Sequence, residues 1–111
     1  MPLERGDQTL LGDIRKAAAE AITFTSKMSE AEFYKDTKTQ KAVEREFEIM
    51  GEAARGLSEQ ARGLFPHVPF RSMIGMRNIL AHDYGRVDPK ELWKTVHVAL
   101  PLLLAELNKV K

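Results

Sequence analysis
With 111 residues, 17 basic against 16 acidic side chains and a formal net charge of +1, the chain has one domain's worth of core and no overall field to gather nucleic acid or an anionic membrane. Its lack of cysteine excludes disulfides, thiolate nucleophiles and cysteine-ligated zinc together. No apolar run approaches the ~20 residues of a membrane span, and MPLERGDQTL lacks the apolar core of a signal peptide, so the expected address is cytoplasmic.

The spacing of apolar residues is helical nearly throughout, which predicts a single all-α domain over residues 1–111. From about Asp7 to Met28, Leu10, Leu11, Ile14, Ala17, Ala18, Ala21, Ile22 and Phe24 recur at threes and fours and line one face of a first helix. SEAE from Ser29 and TKTQ from Thr37 both have the form of a capping box, in which a hydroxyl accepts from an early backbone N–H and the side chain three residues on reaches back. They predict a short helix around 30–36 and a long one over about 38–56, with Ala42, Val43, Phe47, Ile49, Met50, Ala53 and Ala54 on its apolar face. Glycine inside a helix costs about 1 kcal/mol, so Gly51 in MGEAA points to a close approach by another helix.

Ser58 is a plausible N-cap for one or two turns in the connector SEQARGLFPHVPF, and a third main helix follows over about 70–82. Gly85 breaks the chain, and DPKE restarts it with Asp88 as N-cap, Pro89 at the first helical position and Glu91 closing the box. The last helix, about 89–109, carries Leu92, Trp93, Val96, Val98, Ala99, Leu100, Leu103, Leu104 and Leu107, with a bend expected at Pro101. Four main helices joined by short connections predict an up-and-down four-helix bundle with one extra short helix.

The third helix holds the residues that do not fit a core. At about 100° per residue, Arg71, Gly75, Asn78 and His82 form a narrow polar stripe. Arg77 instead falls in the arc of Phe70, Met73, Ile74, Leu80 and Ala81, where a guanidinium is costly unless an anion pairs with it. A structural role for Arg77 would be a salt bridge to a carboxylate such as Glu52, and His82 alone would suit a cap at a helix C-terminus. Together they suggest chemistry: imidazole moves protons near neutral pH, and guanidinium binds phosphate through two hydrogen bonds. RNA cleavage by its own 2′-hydroxyl needs those two services and no metal. His67, His82 and His97, spaced at fifteen residues without clustered carboxylates, offer no ready metal site, and no cofactor is expected.

Arg77, four intervening residues, His82, Asp83 and Tyr84 resemble the R-x-x-x-x-H-x-Y motif of HepT-like toxins, a branch of the HEPN ribonucleases. MGEAARGL resembles that family's I-G-E-A segment, VPFRSMIGMRNILAHDYGRVD its I-P-W-x-x-I-x-G-M-R-N-x-x-x-H-x-Y-x-x-V-D segment, and ELWKTV the start of its final helix. Phe70 stands where the family usually has Trp. The resemblance implies a HEPN-like helical homodimer whose motifs face one another across a cleft and act as a metal-independent endoribonuclease. It makes His82 the proton-transfer residue and Arg77 the phosphate binder, with Asn78, Asp83 and Tyr84 in support. Two imidazoles per dimer then serve as base and acid, and the apolar face that carries Arg77 is expected to meet the partner subunit. Arg71 and Arg86 are candidate RNA contacts, with tRNA or mRNA as the substrate class.

The family is further the toxin half of a type VII-like toxin–antitoxin pair, whose partner MntA is a minimal nucleotidyltransferase. By resemblance, that partner transfers AMP to the motif tyrosine, here Tyr84. The alternative expectation is a non-catalytic helical scaffold that binds such a nucleotidyltransferase through the polar stripe. The intact Arg77 and His82 argue against it.

Overall fold
The computed structural model of the protein describes residues 3–82 and 87–109. Within them the chain is helical: α1 (Arg5–Thr25), α2 (Glu30–Lys35), α3 (Thr37–Gly56), α4 (Glu59–Gly63), α5 (Phe70–His82), α6 (Pro89–Lys94), a π-helical turn (Thr95–Ala99) and α7 (Leu100–Leu107). The last three run on without leaving helical backbone and together make the final long helix. The all-α expectation holds, and among the described residues no helix is long and apolar enough to cross a membrane.

Local chemistry sets most boundaries. At α2 the predicted capping box is complete: the Ser29 hydroxyl accepts from the Glu32 N–H at 3.1 Å, and the Ser29 N–H donates to the Glu32 carboxylate at 2.8 Å. The cap of α3 falls one residue before Thr37. Asp36 accepts from both the Thr39 N–H and the Thr39 hydroxyl, one donor on each carboxylate oxygen. Gln40, expected to close that box, reaches the carbonyls of Phe33 and Tyr34 and ties α2 to α3. Asp88 caps α6 through the Lys90 N–H, with Pro89 in the first turn as expected.

Helix α3 is the central element, with α1 along one side and α5 along another. The final helix closes on α1, and α2 bridges α3 and α6. The core they enclose includes Ile14, Ala18, Val43, Met50, Leu92, Val96 and Leu107, with Phe33 under Trp93 at a ring-centroid distance of 5.5 Å. Burying each large side chain of this set stabilises the fold by roughly 1.5–3 kcal/mol.

The disturbance expected at Pro101 takes the form of the π-helical turn. Proline has no N–H and its ring crowds the carbonyl four residues earlier, so the turn ahead of it widens and the Leu100 N–H donates to the Thr95 carbonyl, five residues back. The register of the stripe shifts accordingly: Leu92, Val96, Leu100, Leu103 and Leu107 point inward, whereas Val98 and Ala99 are exposed.

Two tertiary features bear on the site. Asp7 is buried and accepts from the Ser58 N–H at 3.0 Å and the Ser58 hydroxyl at 2.7 Å, which fastens the start of α1 to the loop after α3. Those hydrogen bonds hold the Asp7 carboxyl below its ordinary range. Helix α5 packs on α3 but leaves an open seam toward the final helix, a groove of about 420 Å³ bordered by Phe47, Met50, Met73, Met76, Leu102 and Leu103.

Candidate active site
Only Phe70 and Leu80 of α5 are buried, so this helix is held by one side and shows its other sides to solvent or to the groove. Its held side is the one that carries Arg77. A β-carbon added to Gly51 of α3 would lie 2.2 Å from the Arg77 β-carbon and 2.6 Å from the Met73 carbonyl oxygen. No residue but glycine leaves that space, so the close approach expected at MGEAA occurs, and it occurs at Arg77 itself.

The arginine side chain runs along α3 and ends beside Glu52, with Nε 3.0 Å from Glu52 Oε2. Its Nη1 donates to Asn78 Oδ1 at 3.4 Å. The side chain keeps 26% of its exposure, and Glu52 keeps 56%, so the pair sits at the rim rather than in the core. The predicted carboxylate partner is therefore the one found. The apolar arc expected to meet a partner subunit is occupied, at Arg77, by α3 of the same chain.

Arg77 opens onto a cleft of about 320 Å³ between α1, α3 and α5, where Asp13, Arg45, Glu48 and Glu52 surround it. Arg45 and Glu48 form a looser ion pair at 3.8 Å. The sequence reading did not single out Arg45 or Glu48 for this site. Their spacing from Glu52, seven and four residues, places all three on one face of α3 and was the available signal.

His82 ends α5 and is exposed, as are Asn78 and Arg71 on the outer side of the helix. Five residues of α-helix turn through about 140° and rise about 7.5 Å, so Arg77 and His82 of one chain do not converge. Among the described residues no hydrogen bond joins them. Asp83, Tyr84 and Arg86 lie outside the described residues. The other two histidines stand apart from Arg77: His97 bonds the Thr25 hydroxyl at 3.0 Å and stacks on Trp93, and His67 lines the apolar groove.

The geometry offers an anchored guanidinium in a partly enclosed cleft and an accessible imidazole at the end of the same helix. Residues 14–110 match the family described as "Ribonuclease HepT-like". The chain belongs to the HepT-like ribonuclease family. Two relatives span it almost end to end. "Probable ribonuclease HepT" of Thermococcus cleftensis is 37% identical over 109 residues, covering 98% of this chain and 99% of its own. "Putative RNase MJ1380" of Methanocaldococcus jannaschii is 37% identical over 107 residues, covering 96% and 98% respectively. No solved structure gives a significant match. For a HepT-like ribonuclease, RNA is the substrate class.

Proposed function
We propose that this HepT-like chain is a metal-independent endoribonuclease toxin that works in the cytoplasm as a homodimer, with Arg77 and His82 as its catalytic residues. The observation that carries the reading is their placement on α5. Arg77 is anchored against α3 and faces the cleft, whereas His82 is exposed about 140° further round the same helix. A single chain with this arrangement has its phosphate binder and its proton carrier on different sides. A second copy related by a two-fold axis brings an imidazole and a guanidinium from opposite chains to one place, and it supplies the two histidines that the reaction needs. The open seam beside α5, with Ile79, Val98 and Leu102 exposed, provides apolar surface for that copy to cover.

In this reading one neutral imidazole takes the proton of the RNA 2′-hydroxyl, and the resulting oxyanion attacks the adjacent phosphorus. The bond to the 5′-oxygen breaks, and that oxygen receives a proton from the second, protonated imidazole. Arg77 stabilises the charge that builds on the non-bridging oxygens. The products are a 2′,3′-cyclic phosphate and a 5′-hydroxyl. Asn78, Asp83 and Tyr84 support the site, Arg71 and Arg86 contact flanking RNA phosphates, and tRNA or mRNA is the target. A cognate MntA-like nucleotidyltransferase silences the toxin by transferring AMP to Tyr84.

The test is cleavage of RNA by the purified chain in the presence of EDTA, with the mass in solution read by light scattering. The reading predicts chelator-resistant cleavage, cyclic-phosphate ends and a mass near twice 12.6 kDa. Chelator-sensitive cleavage, 3′-hydroxyl ends or a stable monomer would contradict it. A dimer that binds a nucleotidyltransferase but never cuts RNA would support the scaffold alternative.

A further inference from the structure
We infer that Glu52 is the positioning residue of the catalytic arginine: by pairing with the Arg77 guanidinium on its Nε side and accepting no hydrogen bond from the two terminal nitrogens, it leaves those nitrogens for a phosphate. This rests on the ribonuclease reading of Arg77. The root of the side chain is fixed first, because Gly51 lets the α5 backbone come so close that a β-carbon there would meet the Arg77 β-carbon at 2.2 Å. The head is fixed second, by the 3.0 Å contact from Nε to Glu52 Oε2. Adjacent residues of α3 therefore hold the two ends of one arginine side chain.

Which nitrogen is engaged matters. A carboxylate that took both terminal nitrogens would occupy the edge that binds phosphate in a bidentate way. Glu52 takes the inner nitrogen, Nη1 makes only the long 3.4 Å contact to Asn78, and Nη2 has no protein acceptor among the described residues. The outer edge is left for an anion.

The ion pair is too wet, with Glu52 56% exposed, to be explained by its contribution to stability. A carboxylate beside a phosphate site also repels RNA. Its presence makes sense if it lowers the cost of orienting the guanidinium more than it weakens binding, which separates rate from affinity. Loss of Glu52 should slow the bound complex without loosening it.

The experiment is single-turnover RNA cleavage by Glu52→Gln and Glu52→Ala, each also made in the Arg77→Ala background, with the Arg77 Nε–H resonance followed by NMR in the full chain. The expected result is a rate at saturating RNA reduced by about tenfold or more in Glu52→Ala and by less in Glu52→Gln. RNA affinity should be unchanged or tighter, and Glu52→Ala should have no further effect once Arg77 is gone. The Nε–H resonance should shift in Glu52→Ala, because the carboxylate charge 3.0 Å from Nε is gone. A wild-type rate in Glu52→Ala, or an additive loss in the double variant, overturns the inference while leaving the ribonuclease reading intact. If the wild type cuts no RNA, that reading falls. The resonance then judges the positioning by itself, and an Nε–H indifferent to Glu52 overturns it too.

Discussion
Arg77 Nε of α5 lies 3.0 Å from the carboxylate of Glu52 of α3, the residue that follows the glycine where the two helices touch. A permanent cation in an apolar ladder is tolerable here because the ladder ends at a cleft rim, where the guanidinium keeps a carboxylate partner and about a quarter of its exposure. Exposed pairs of this kind contribute about 0–1 kcal/mol. Removing Arg77 should therefore cost the fold little beyond the packing of its aliphatic stem.

Gly51 gives the sharpest test of the α3–α5 contact. Alanine there would place its β-carbon 2.2 Å from one β-carbon and 2.6 Å from a backbone oxygen, neither of which is the flexible end of a side chain. The helices must move apart, and overpacking of this kind costs about 1–3 kcal/mol even though alanine is the better helix former. Chemical denaturation of Gly51→Ala should show that loss together with weaker RNA cleavage. Equal or higher stability would mean that the contact is looser than described.

Glu46 gives the fold a pH dependence of its own. It is buried on α3, and burial, a hydrogen bond to Glu20 and the charge of Glu20 push its carboxyl up from 4.5 to about 7, against the pull of Arg45 and Lys16. Between pH about 4.5 and about 7 the folded protein thus keeps a proton that the unfolded chain has released. The contribution of this group is full below pH 4.5, declines as pH rises to about 7 and is constant above that. Asp7 and Asp36, whose carboxyls are lowered by hydrogen bonds to Ser58 and Thr39, work in the opposite direction but only as pH falls below about 3.8. Glu46→Gln should match the wild type near pH 4.5 and exceed it by roughly 1–3 kcal/mol at pH 8. Parallel stability curves across that range would remove Glu46 as the cause.

Much of this was legible in the sequence, and the exceptions have physical causes. Helix periods and the Ser29, Ser58 and Asp88 caps are local and were readable within a few residues of each other. Gly51 and Glu52 were readable because each is anomalous in place, a flexible residue inside a helix and a carboxylate within reach of a misplaced cation. The Asp7–Ser58 clamp joins residues 51 positions apart, and nothing local marks it. The burial of Glu44 and Glu46 has no local mark either, because burial of α3 on several sides is a property of the assembled bundle. The π-helical turn was half legible: Pro101 announced a disturbance of the last helix, but a proline does not by itself say what form the disturbance takes, here a wider turn over Thr95–Ala99.

Regulation at Tyr84 is an expectation from the motif. Attaching AMP would add negative charge and a purine two residues along the chain from His82, opposing RNA by charge and by bulk. A cognate nucleotidyltransferase with ATP and Mg²⁺ should increase the mass of the chain by one or more AMP units and end cleavage, and Tyr84→Phe should escape both effects. An unmodified wild type that is still neutralised by its partner, or a modified Tyr84→Phe, would move the regulation elsewhere.

The central claim is that His82 carries the proton in RNA cleavage, and replacing it tests this most directly because the side chain is exposed at the end of α5 and packs no core. General acid–base groups typically contribute 10²–10⁴-fold in rate. In EDTA, His82→Ala should therefore cut RNA at least about a hundredfold more slowly than the wild type while melting within a degree or two of it. A folded His82→Ala chain that cleaves RNA at the wild-type rate would contradict the account.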